Sequence, residues 1–148
     1  MSKPIDYETD FCHWALHNAQ LLREGKFSEL DVKHLIEELE DMGNNRQELA
    51  SGFMVLIGHL LKWEYQPNHR SNSWESSINE QRLQINWLIQ DKPSLKPSLL
   101  KAITKAYPHA VKLAVKDTKL PKGQFPPECP YTMEQLLDED FYPEKRLV

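Results

Sequence analysis

Four residues have side chains and helical positions that could carry chemistry: Glu38, Glu40, His59 and Arg82. Wound at 100° per residue, Arg82 falls within roughly 50° of the centre of a stripe made by Trp74, Ile78, Ile85 and Ile89. A guanidinium on such a stripe must find an anion, because an unpaired buried charge costs several kcal/mol. Glu38 and Glu40 each lie about 100° from the apolar centre of an earlier helix, on opposite sides of it, while Glu37 points outward. The expectation is therefore that Arg82 pairs with Glu38 or Glu40. His59 lies about 90° from the apolar centre of its own helix, in a lane with Glu48, Gly52 and Val55, within reach of the same network. Sealed in a core, these groups fix helix register, since buried polar groups must be paired whatever else they do. Lining a cleft, they form a site in which His59 beside a carboxylate is a general base and Arg82 holds an anionic substrate.

Other chemistries lack their residues. A di-metal centre in a helical bundle needs Glu-x-x-His pairs facing inward, and the chain has none. Asp31-x-x-His34 has the spacing, but Asp31 sits where a first-turn acid suits the helix dipole. His13 and His17 stand four apart beside Cys12, a two-ligand spacing, yet His13 points away from the Phe11/Trp14/Leu22 face and reads as solvated. The five glycines form no phosphate cradle. Neither Cys12 nor Cys129 has the basic setting of a nucleophile. The arginine-to-histidine spacing of small helical ribonucleases is also missing. No metal and no cofactor is expected. A second cluster, Trp63, Tyr65, Gln66, His69, Arg70, Ser73 and Trp74, surrounds one helix turn. It could stack a base or clasp a partner, or simply close a corner on its own aromatics.

Amphipathic helices must position these groups. The first spans about Thr9 to Glu24, capped by Asp6 or Thr9, and stops at Gly25 with Phe27 packing back on it. A second starts at Ser28 and buries Val32, Leu35, Ile36 and Leu39 before Gly43. A third, Asn45 to Gln66, is apolar around most of its circumference from Phe53 to Leu61 and should be central. Its Gly52 and Gly58 invite close approach by neighbouring helices. A fourth follows Ser71 and Ser73 and stops before Pro93. A fifth opens at Pro97, and Pro108 should kink or divide it. The Pro-rich stretch from Leu120 to Pro130 reads as a strap. Thr132 and Gln135 form a capping-box pair for a short helix from Met133 to Asp138, ahead of an exposed tail. The expected fold is all-α: a single domain over residues 1–148, with a helical bundle over about 1–119 and the strap, short helix and tail over 120–148.

Bulk properties bound the function. A chain of 148 residues with net charge −4 can bury a core without a metal or disulfide staple. Its acid balance argues against a broad nucleic-acid footprint, which would show as a basic stripe. Two cysteines without metal spacing and no apolar leader after Met1 point to a reduced, cytoplasmic protein. The longest nearly apolar run, Phe53 to Leu61, falls short of the roughly 20 residues of a membrane span.

The order of the motifs resembles the family called domain of unknown function 29. The matching pieces begin with Asp6-Tyr7-Glu8-Thr9-Asp10-Phe11 and Trp14, Leu21-Leu22-Arg23-Glu24-Gly25-Lys26-Phe27, and Leu35 to Gly43. They continue through His59-Leu60-Leu61-Lys62-Trp63, Gln66-Pro67, Ser73-Trp74 and Glu80-Gln81-Arg82 to Cys129-Pro130-Tyr131-Thr132. The resemblance implies a small all-helical bacterial protein, common in cyanobacteria, with a family pattern that includes Glu37, Glu38, Glu40, His59 and Arg82. It carries over no activity, and it implies a fifth helix that runs on where Pro108 stands. Two functions are expected from these residues. One is a non-enzymatic interaction module that binds a protein partner or a second copy. The alternative is an enzyme on a phosphate-bearing or nucleic-acid substrate, using the His/Glu/Arg cluster.

Overall fold

The computed structural model describes residues 6–144, apart from the side chains of Gly43, Asn44 and Arg46. The leader reading at Met1–Pro4 and the end of the expected tail, 145–148, lie outside them. The fold is all-α, with no strand among the described residues. Two compact units divide the chain, Met1–Gly43 and Asn44–Val148.

In the first unit, α1 (Phe11–Arg23) is capped by Asp10, whose carboxylate accepts from the His13 amide at 3.1 Å. Neither Asp6 nor Thr9 takes that role. Gly25, at φ 72°, ends the helix as its spacing predicts. Its amide donates to Leu22 O at 3.1 Å and that of Lys26 to Leu21 O at 2.9 Å, the two bonds of a Schellman motif. Phe27 does not pack back: it is 65% exposed, carried off by a 3₁₀ turn, Phe27–Glu29. That turn also moves the start of α2 (Val32–Asn44) from Ser28 to Val32. Asp31 replaces Ser28 as the residue whose side chain accepts from the first turn, at the His34 amide.

In the second unit, Asn45, left-handed at φ 46°, precedes α3 (Arg46–Tyr65). The helix is central, with Leu49, Phe53, Leu56, Ile57, Leu60 and Leu61 completely buried. It packs against α4 (Asn72–Asp91) and along α5 (Leu99–Thr118). Both glycines mark close approaches. A methyl group at Gly58 would come within 2.6 Å of Leu113 Cδ2, and one at Gly52 within 3.1 Å of Ile85 Cγ1.

Pro108 does not divide α5. The proline forfeits one main-chain bond at a cost of about 3 kcal/mol. Buried Ala102, Ile103, Ala106 and Tyr107 before it, and Ala110, Val111 and Ala114 after it, hold both halves to the core. Pro97 belongs to a preceding 3₁₀ segment, Pro93–Ser98. The strap buries Phe125, Tyr131 just past it is buried too, and the strap is tied down by Tyr107 Oη donating to Pro126 O at 2.6 Å. It delivers α6 (Met133–Leu137), with the Thr132/Gln135 capping box fully formed.

Burial this uneven sets a hierarchy of local stability. In native-state hydrogen exchange, the Phe53–Leu61 amides should be the slowest in the chain. Those of α1 and α2 should be faster, since only Trp14, Asn18 and Leu21 of α1 are buried. Equal protection throughout would contradict this order.

Candidate functional site

Arg82 is as deeply placed as its stripe predicts, with no exposed surface, but its partners are not the expected glutamates. Its Nε donates to Leu136 O at 2.9 Å and its Nη2 to Gln135 O at 3.1 Å. Asn86 Nδ2, one turn on, donates to Leu137 O at 3.3 Å. The last carbonyls of a helix lack their usual intrahelical donor, so the end of α6 offers Arg82 backbone acceptors where a carboxylate was expected; Gln135 O accepts from the Asp138 amide as well, at 3.4 Å. Phe141 and Tyr142 lie over the guanidinium, 5.8 and 5.6 Å from ring centre to the central carbon. Burial pushes the basicity of Arg82 down, and Tyr142, Asp138 and Glu139 act against it. Arg82 thus fastens the C-terminal segment to α4.

His59 is half-buried on α3. Its Nδ1 donates to Val55 O at 2.8 Å, which leaves Nε2 as the acceptor nitrogen. Burial lowers its pKa, and Lys62 pushes the same way, while the Val55 bond and Asp117 oppose. Beside it, the buried Lys62 ammonium donates to Asp117 Oδ2 at 2.9 Å and sits 4.9 Å from the Trp74 ring centre. Lys62 and Asp117, which join α3 to α5, were not singled out in the sequence. Lys62 carries one signal, a lysine on a nearly apolar helix, and Asp117 carries none.

Glu38 and Glu40 belong to the first unit. Glu38 accepts from the Tyr7 hydroxyl, whose pKa that bond pushes up to about 12. The polar centre of this unit is instead Asp31. Its Oδ2 accepts from Trp14 Nε1 at 2.8 Å and lies 2.7 Å from His34 Nδ1, and its amide donates to Asn18 Oδ1 at 2.9 Å. Asn18 in turn donates to Trp14 O at 2.9 Å. The Tyr7 ring stacks on His34 at 4.2 Å and meets Trp14 edge-on at 4.8 Å. One carboxylate thus links α1 to the start of α2. These bonds, led by that of His34, hold the Asp31 carboxyl below its ordinary range.

With the two helices joined through polar groups, the apolar stripe of α2 is left facing out. Val32, Ile36, Leu39 and Met42 are exposed to 55, 50, 65 and 67%, where the sequence pattern places the first three in the core. Phe11, Leu16 and Leu22 of α1 are exposed as well. Among the described residues no three His, Cys, Asp or Glu side chains converge to hold a metal ion. No described helix is long and apolar enough to cross a membrane.

Two expected outcomes follow from these bonds. Arg82→Ala should destabilise by on the order of 3 kcal/mol, because it strands the buried Leu136 carbonyl, removes a second bond at Gln135 O and opens a cavity. Arg82→Lys should recover part, since an ammonium cannot span both acceptors. Chemical denaturation measures both, and an unchanged midpoint for Arg82→Ala would contradict the fastening role. The second outcome concerns pH. Because the folded pKa of Asp31 is depressed, its contribution is fully present above the ordinary value near 3.8. It is lost as pH falls through the lower folded value. The stability difference between wild type and Asp31→Asn should therefore shrink as pH falls through that acidic window. A difference that grows on acidification would show the sign to be wrong.

No curated protein and no solved structure matches the chain. The family model described as Domain of unknown function DUF29 matches residues 7–142, from the tyrosine that bonds Glu38 to the one that lies over Arg82, and the chain belongs to that family.

Proposed function

We propose that the protein is a non-enzymatic interaction module whose docking element is α2, and that its occupant is a basic amphipathic helix of a protein partner. The supporting observation is the outward stripe of Val32, Ile36, Leu39 and Met42. Its spacing is that of a seam for a second helix laid alongside. Contiguous large apolar residues at this exposure are costly to a free surface and mark binding faces.

Charge selects the occupant. Glu38 and Glu40 flank the stripe on its two sides, and Glu37 and Asp41 make the rest of α2 acidic against Lys33 alone. A partner with lysines or arginines beside its apolar residues gains on both counts, and rim charges of this kind set specificity and association rate. A second copy pairing through the same face would set acid against acid. The alternative reading, an enzyme built on Glu38, Glu40, His59 and Arg82, has less behind it. Arg82 spends its Nε and Nη2 donors on α6, and Glu38 holds Tyr7.

The test is a fluorescence titration of the full chain with two amphipathic helical peptides that share one apolar stripe, flanked by lysine in one and glutamate in the other. The lysine-flanked peptide should bind at least about tenfold more tightly. Ile36→Gln with Leu39→Gln should abolish the difference by removing the stripe without adding charge. Equal binding of both peptides, or binding that survives the double substitution, would overturn the proposal. So would a dimer of the chain that the double substitution dissociates, since a second copy would then be the occupant.

A further inference from the structure

The net charge of −4 hides a strong segregation. From Lys96 to Lys122 the chain carries Lys96, Lys101, Lys105, Lys112, Lys116, Lys119 and Lys122 against a single acid, Asp117. Asp117 is engaged by Lys62. On α5, Lys101, Lys105, Lys112 and Lys116 are all exposed. At 100° per residue they fall within about 60° of arc, with exposed His109 at its edge. They span about 22 Å along the helix axis. None of the four ammonium groups has a hydrogen-bond or ion-pair partner among the described residues. Two pairs, Lys101 with Lys105 and Lys112 with Lys116, stand one turn apart, where like charges destabilise a helix. The fold bears that repulsion without placing a glutamate between them. At one end of the stripe, a cleft of about 390 Å³ is lined by Pro97, Ser98, Lys101, Ala102 and Lys105. That is room for an anionic group held between two lysines.

We propose that the lysine face of α5 binds the phosphate backbone of a nucleic acid, without reading its sequence. A regular row of lysines neutralises phosphates by charge alone. The four-lysine row carries no aromatic residue to stack a base, so contacts would position the strand and not specify it. A protein partner fits less well, because lysine is depleted and aromatic residues and arginine are enriched where proteins meet. An anionic membrane also fits less well. Surface helices that lie on lipid insert an apolar face, whereas Ala102, Ile103, Ala106, Tyr107, Ala110, Val111 and Ala114 of α5 are buried in the protein core. Leu100 at the N-terminal end is exposed, and Leu113 and Val115 are partly buried.

The experiment is fluorescence anisotropy of the full chain with labelled DNA duplexes of about 20 base pairs in two unrelated sequences, over roughly 50 to 200 mM salt. The wild type should bind both equally. Its log–log salt slope should approach −0.9 per phosphate engaged, roughly −3 to −4 for the four lysines. Replacing Lys101, Lys105, Lys112 and Lys116 together by Gln should weaken binding at least about tenfold at the lower salt and bring the slope near zero. The same four changed to Arg should leave both intact. All four side chains are exposed, so helicity by circular dichroism should be unchanged. If the fourfold variant misfolds, Lys112→Gln alone should still reduce the slope by about one. Vesicles of phosphatidylserine and poly-glutamate serve as the competing polyanions, and binding to either as tight as to DNA would overturn the proposal. No duplex binding by the wild type, or a salt slope untouched by the glutamine variants, would do the same.

Discussion

A polar group taken out of water must be paired, and the requirement dictates where the separate pieces of this chain lie. Arg82 is completely buried and has no carboxylate among its hydrogen-bond partners in the described residues, so two of its nitrogens take the terminal carbonyls of α6 while Nη1 is left without a partner there. The strap must therefore bring a five-residue helix to α4. Lys62, buried on the central helix, binds Asp117 and so fixes α5 against α3. Asn18 is buried on α1 and bonds the amide of Asp31, whose carboxylate then collects Trp14 and His34. Each pairing joins segments distant in sequence. Each would leave an orphaned charge or dipole if its partner moved.

The same requirement explains what stays outside. In the first unit the contacts between α1 and the start of α2 are spent on a polar centre, and the apolar residues of α2 are left on the far side. The second unit shows the reverse: its apolar residues are consumed by the core around α3, and α5 turns its lysines out. One surface is thus apolar and acidic, the other basic and without an aromatic residue along its four-lysine row. Surfaces of these two kinds suit binding.

Where local pattern decides structure, the sequence is legible. The wide apolar arc from Phe53 to Leu61 announces a central helix, Gly52 and Gly58 announce close neighbours, and Gly25 and Thr132/Gln135 announce a stop and a start. The position of Arg82 on an apolar stripe announces its burial. What the pattern does not contain is the identity of long-range partners. A search for an anion naturally turns to Glu38 and Glu40, because backbone carbonyls at the end of a short helix have no sequence signature. The stripe of Val32, Ile36 and Leu39 shows that one helix face is apolar, and it is silent on what covers that face. Pro108 carries a real local cost, but its neighbours on both sides outweigh it. Net charge averages away the lysine row that a helical projection of α5 would have revealed.

The central claim is that the α2 stripe, and not the half-buried histidine, is the working surface. Methyl-resolved nuclear magnetic resonance of the full chain, titrated with the lysine-flanked amphipathic peptide, tests it most directly. The account predicts that the methyl signals of Val32, Ile36, Leu39 and Met42 shift together and saturably, while the ring signals of His59 do not move. Shifts centred on His59, or α2 methyls that stay in place at saturating peptide, would contradict it.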